Sequence, residues 1–373
     1  MHPAARLADL LDRRRADLPG LSAVAGFDGS VDERISVLNQ HHSAADRGTP
    51  LASMSALGAI LAATAGSDGQ SGIVMLGQGA GGCAVDLGDG LATLGVSLDY
   101  FGTVGRPRHP AFTAFAARCR SCTAWGASHG RSYALEFPDG TFFLSPVDQL
   151  AAVTPDLLVE ATADGAFARA CAGAGLIALT HGAFAAHLTA AWRWLQEHVL
   201  SGIEHRPWLF LDLADPSGSA ADVQAMLGAV GVFERTCRTV YRVDHTGVQV
   251  IAGALGLPPV AATARGLGHS AAAIRTRLGI SQVVITSPGF DAVATAAGVV
   301  VSSASPGAHP RPEREAGFNV GYCLGLLLGL EPEDGCRLGS ATAACRHRTR
   351  SADLDQVIGW LRAWADGHLA APC

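Results

Sequence analysis

Three short stretches of the sequence carry polar groups at spacings suited to small-molecule chemistry. In GFDGSVDE (26–33), Asp28 and Asp32 follow an apolar run, and carboxylates at a strand's end can accept hydrogen bonds from substrate hydroxyls. Asp32 is the better ligand candidate, since Asp28 equally suits a turn cap. In GQGAGGCAVDLGDGLATLG (77–95), a glycine-rich loop runs into a helix carrying Asp86 and Asp89, and Gly81 and Gly82 would let a ligand approach the backbone directly. The third stretch, EREAGFNVGYCLGLLLGL (313–330), reads as the start of a buried helix, whose unpaired N–H groups and partial positive charge attract an anion. Gly317, in its expected first turn, is where that anion would sit. Gly321, Gly325 and Gly329 continue the spacing along one face and suit close packing. Glu313 and Glu315 crowd the same helix start and repel phosphate.

These residues need a scaffold, and the chain supplies alternating signals for one. The runs LSAVAGF, SLDYFGTVG, GLIALTHG, WLFLDLADPSG and QVVITSPG are each short, apolar and closed by a polar or glycine break, with helical segments between them. That order predicts an α/β fold, a mostly parallel sheet covered on both faces, with the site at the strand C-terminal ends. RSYALEFPDGTFFLSP (131–146) breaks the rhythm. It alternates on both sides of Pro138-Asp139-Gly140, a turn signature, and predicts an antiparallel hairpin. With residues 33–40 it is expected to form a small second sheet, acting as a lid or as a dimer surface. The whole chain, 1–373, is expected to fold as one domain.

Composition narrows the function. A net charge of -6 without a long basic run argues against a nucleic-acid surface. Arg13-Arg14-Arg15 fits a solvated helix face. Cys119 and Cys122 form the one C-x-x-C pair, expected to be two reduced thiols rather than a metal site, and a cytoplasmic setting follows. The N-terminus lacks a long apolar core, so no signal peptide is read there, and the run from Phe318 to Leu330 is too short to span a bilayer.

Taken in order, the Asp after the first strand, the Gly-Gly loop, the hairpin, LDLADP and FNVGYCLGLLLGL resemble the ribokinase family of carbohydrate kinases, also called the phosphofructokinase-B family. The resemblance runs from about residue 21 to 365 and implies a ribokinase-like three-layer sandwich with a small β lid. In that family ATP, with magnesium, phosphorylates a sugar or nucleoside hydroxyl, and a Gly-Ala-Gly-Asp stretch opens the late helix. Its glycine amides hold the transferring phosphate and its Asp takes the proton. Carried over, Asp32 matches the Asp that grips substrate hydroxyls, and Gly81-Gly82 the pair that contacts the sugar. Asp86 stands where the family often has Asn. Gly317 and Asn319 fall at the phosphate site, and Asp244-His245-Thr246-Gly247 falls on a magnesium-organising Asn-x-x-Glu.

The catalytic side departs from that pattern. Glu313-Arg314-Glu315-Ala316 replace Gly-Ala-Gly-Asp, Gly247 replaces the Glu, and ITSPGFDA (285–292) lacks the usual nucleotide-side spacing. The resemblance therefore implies a binder of a sugar, nucleoside or polyol whose phosphotransfer is lost or strongly impaired. The alternative is an active kinase, using ATP and magnesium, with Glu315 as a substitute base. A third reading is a different enzyme that uses Asp32, Asp86 or His245 without ATP.

Overall fold

The computed structural model describes residues 1–39, 48–146, 153–181, 187–213, 220–306, 312–349 and 352–368. Its strands are β1 (Ser22–Phe27), β2 (Ser30–Val37), β3 (Ile73–Gly81), β4 (Ser97–Gly102), β5 (Ser121–Ala124), β6 (Gly130–Phe137), β7 (Gly140–Leu144), β8 (Leu176–His181), β9 (Trp208–Leu213), β10 (Arg238–Asp244), β11 (Gln282–Thr286), β12 (Phe290–Thr295) and β13 (Gly298–Ser303). The helices are α1 (Pro3–Arg13), α2 (Met54–Ala63), α3 (Cys83–Thr93), α4 (Thr113–Arg118), α5 (Pro155–Thr162), α6 (Ala166–Gly173), α7 (Leu188–His198), α8 (Ala220–Phe233), α9 (Gly247–Ala254), α10 (Ala264–Leu278), α11 (Pro312–Leu328), α12 (Pro332–Thr349) and α13 (Leu354–Ala365).

Nine strands form the main sheet in the order β13-β12-β11-β10-β9-β8-β1-β4-β5. It is parallel from β5 to β11, and β12 and β13 add antiparallel strands at one edge. Two apolar clusters cover its two faces. Phe318, Val320 and Leu324 of α11 lie in one, and Trp192, Phe233 and Ile274 in the other. Strands buried on both faces explain the continuous apolar runs of the sequence. Chain order reverses beside β1, which places a crevice at the strand C-termini there.

The hairpin expected over 131–146 is β6 and β7, turning at Pro138 and Asp139. It joins a separate four-stranded sheet, β3-β2-β6-β7. The partner strand β2 begins at Ser30, three residues earlier than the expected lid segment, and ends at Val37; residue 40 lies outside the described residues. β3 is a strand where the sequence predicts none. Glycines 77, 79 and 81 read as a loop, yet they continue the strand that begins with Ile73 and pair with β2.

Candidate active site

Asp28 follows β1 and turns its carboxylate to the head of α3, accepting from the amides of Cys83 (2.7 Å) and Ala84 (2.8 Å). This answers the alternative left open for it: Asp28 is a helix cap, satisfying two of the first-turn N–H groups that otherwise lack partners. Burial still pushes it up to about 6, against the pull of those amides. Asp32 sits on β2, takes a hydrogen bond from the Ser30 hydroxyl (2.7 Å), and is pushed up to about 6 by burial, with Asp28 adding to it.

Gly81 ends β3 opposite Ser30 of β2, and any side chain there would collide with the nearby Asp32 carboxylate. Gly82 takes a φ of 102° as the chain turns into α3, a conformation that favours glycine. Asp86, one helical turn into α3, is pushed up to about 7, first by burial and then by Asp32 and Asp28, with Arg346 opposing. The structure therefore brings Asp32, Gly81, Gly82 and Asp86 together, with Asp28 close enough to act on both carboxylates.

The head of α11 is built differently from the expectation. The helix begins at Pro312, so Gly317 lies in its second turn rather than its first. A Cβ on Gly317 would stand 2.6 Å from Ala343 Cα, which makes this glycine part of the contact with α12. Asn319 is buried and donates from Nδ2 to Asp212 Oδ2 (2.5 Å). Neither residue presents a group to an anion at the helix start. Gly329 is likewise not a packing position, since its φ of 69° ends α11.

Glu315 faces Arg242, which the sequence reading did not single out. This guanidinium is 1% exposed and donates from Nη1 to Asp212 Oδ1 and to Glu315 Oε2, both 3.1 Å, and from Nη2 to Thr286 Oγ1 at 2.6 Å. Burial disfavours its charge, but Asp212 and Glu315 outweigh that and hold it above its ordinary value. Glu315 is raised by burial, with Arg242 opposing. Arg242, set between Tyr241 and Val243 in the middle of the strand, was the available signal for this buried pair.

Asp244 accepts at Oδ1 from Thr246 N (3.0 Å), Thr246 Oγ1 (2.8 Å) and Gly247 N (2.5 Å), so it caps α9. His245 beside it is exposed. Cys83 marks where the two halves meet. Its thiol is half-buried and pushed well up, first by desolvation and then by Asp28, Asp212, Asp86 and Glu315. Acids from both groups thus lie near one thiol, in an acid-rich region at the C-terminal ends of β1, β9 and β10.

The family model described as prokaryotic ketohexokinase matches residues 6–362. Among solved structures, a carbohydrate kinase from Agrobacterium tumefaciens is similar at 14% identity and TM-score 0.60, covering 92% of this chain and 97% of that one. Arabidopsis thaliana ribokinase, complexed with ribose and ATP, matches at 14% identity and TM-score 0.60, covering 92% and 98%. Phosphofructokinase-2 from Escherichia coli, in complex with fructose-6-phosphate, matches at 10% identity and TM-score 0.62, covering 92% and 99%. At these identities the structures attest the fold. Among curated proteins, none matches this chain in sequence. Among the described residues, no helix is long and apolar enough to cross a membrane.

Proposed function

Because this chain belongs to the prokaryotic ketohexokinase family, with a ribokinase-like fold, we propose that it binds a ketose or related polyol, sugar or nucleoside between Asp32, Gly81, Gly82 and Asp86, and that it does not transfer phosphate efficiently. The observation that carries this reading is the Arg242–Glu315 ion pair at the head of α11. A transferring phosphate at a helix start needs free amides and a neighbouring proton acceptor. Here Ala316 has no acceptor, Glu315 brings a negative charge, and the nearest buried cation is already held by Asp212, Glu315 and Thr286. These residues do not fit the γ-phosphate of ATP, and Asp244, committed to its cap, is a weak magnesium ligand. The sugar half keeps its carboxylate and its glycine clearance.

The test is ADP release with ATP and magnesium across a sugar and nucleoside panel, beside melting-temperature shifts with the same compounds. We expect no ADP above background, and a polyol-induced shift that Asp32→Ala abolishes. Sugar-dependent ADP release by the wild type would overturn the reading. It would favour a second one, an active kinase with Glu315 as base, which the upward displacement of Glu315 by burial supports; Glu315→Gln would then remove activity.

The reading extends to a homodimer through the lid. Phe142, Phe143 and Leu144 of β7 and Ile73 to Leu76 of β3 are all exposed, a concentration of apolar surface that typically marks an interface. A cytoplasmic setting is supported by free cysteines, Cys119 and Cys122 included.

A further inference from the structure

The chain contains no lysine, so its side-chain positive charge outside histidine resides on arginine, whose planar fork matches phosphate oxygens. Three arginines converge where the loop after β4 passes the first residues of β6. Arg106, Arg108 and Arg131, with His109, His129 and Tyr133, line a cleft of about 560 Å3. Arg106 donates from Nε and Nη2 to Ala124 O (2.9 and 2.5 Å), and Arg108 from Nη2 to Cys122 O (2.7 Å). Backbone carbonyls fix these guanidinium groups without neutralising them. Among the described residues the one carboxylate paired with the cluster is Glu33, 3.4 Å from Arg131.

The imidazoles add directed groups. Their ring centroids are 4.8 Å apart. His109 Nδ1 accepts from Ala111 N, which leaves its Nε2–H as a donor, whereas His129 Nδ1 donates to Gly130 O. Three guanidinium groups facing one acid, on a chain of net charge -6, concentrate a local field opposite in sign to that of the whole molecule.

This cleft is separate from the sugar pocket. Ser132 is the cross-strand neighbour of Asp32 and shares its face of the lid sheet, whereas Arg131 and Tyr133 alternate to the opposite face. We propose that the cleft binds the phosphate group of a small phosphorylated metabolite at a site distinct from the sugar pocket.

Calorimetric titration of the full-length chain with inorganic phosphate, pyrophosphate, a hexose phosphate and the same unphosphorylated hexose tests this. Pyrophosphate and the hexose phosphate are expected to bind, more weakly as salt is raised. Arg108→Gln and Arg131→Gln should each weaken them about tenfold or more, the loss expected for a charge-assisted hydrogen bond, and Asp32→Asn should leave that binding intact. A hexose phosphate that outbinds pyrophosphate identifies a sugar phosphate as the occupant, and the reverse order a pyrophosphate-bearing one. In the unmutated chain, pyrophosphate should protect Arg106 and Arg108 from phenylglyoxal, read by mass spectrometry. No anion binding at millimolar concentrations, wild-type affinity in both arginine variants, or loss of anion binding in Asp32→Asn would each overturn the proposal.

Discussion

At the residue scale, the site is governed by buried charge. Arg242 shows this most directly, because its partners Asp212 and Glu315 would be left uncompensated without it. Arg242→Met is expected to cost about 3–5 kcal/mol in urea unfolding, the range for breaking a buried pair by removing one member. An unchanged midpoint would mean that the pair contributes nothing to folding. Asp86 gives a pH signature. It titrates at about 7 in the folded chain against an ordinary 3.8. Between those values the folded state keeps a proton that the unfolded chain has lost, so stability from this group is full below about 4, declines as pH rises to about 7, and is level above. Asp86→Asn should therefore gain on the wild type in melting temperature as pH is raised across that window. The gain should reach at least about 1 kcal/mol, since each unit of displacement is worth about 1.4 kcal/mol. A constant difference at all pH values would show that Asp86 titrates normally. Asp32 and Gly81 were legible in the sequence because a strand end and a residue without a side chain are local signals. Arg242 was not, because Asp212, Thr286 and Glu315 lie 30, 44 and 73 residues away and only the sheet order and the packing of α11 bring them together.

At the element scale, the pairing of α11 with α12 is the least forgiving feature. A Cβ on Gly321 would lie 2.5 Å from Leu338 O and 2.8 Å from Gly339 Cα, and one on Gly325 would lie 3.1 Å from Gly335 Cα. Gly339 in turn receives Phe318. Gly321→Ala is thus expected to lose stability by about 1–3 kcal/mol through overpacking, despite alanine's better helix propensity. Gly329→Asn should be nearly neutral, since it meets nothing within 4 Å and Asn tolerates its φ of 69°. Equal melting temperatures for Gly321→Ala and wild type would show that the helices can separate. The glycine spacing was readable from sequence, but the helix start was not. Pro312 opens the helix, and proline at a first position is a start signal that outranked the glycine expected there. The lid hairpin was readable because Pro-Asp-Gly is local turn chemistry. β3 was hidden because its glycines carry no alternation, and its apolar half, Ile73 to Leu76, is exposed rather than buried on one face.

At the scale of the whole molecule, the main sheet and its two apolar faces carry the fold, and the lid stands apart with apolar residues in the open. Sedimentation is expected to show a dimer, and Phe142→Asp with Leu144→Asp to release monomers without lowering the melting temperature of the main body. A wild type that sediments as a monomer at tens of micromolar would end that reading. The glycine contacts behind α11 have a further consequence. They anchor the helix from its rear, through Gly321, Gly325, Gly335 and Gly339, so its aim depends on its neighbour and not on any occupant at its head. Under selection for folding alone, Gly321 and Gly339 would be held by their contacts and Glu315 by its pair with Arg242. The same arrangement would let a reaction at the head of such a helix be gained or lost while the architecture behind it stayed the same.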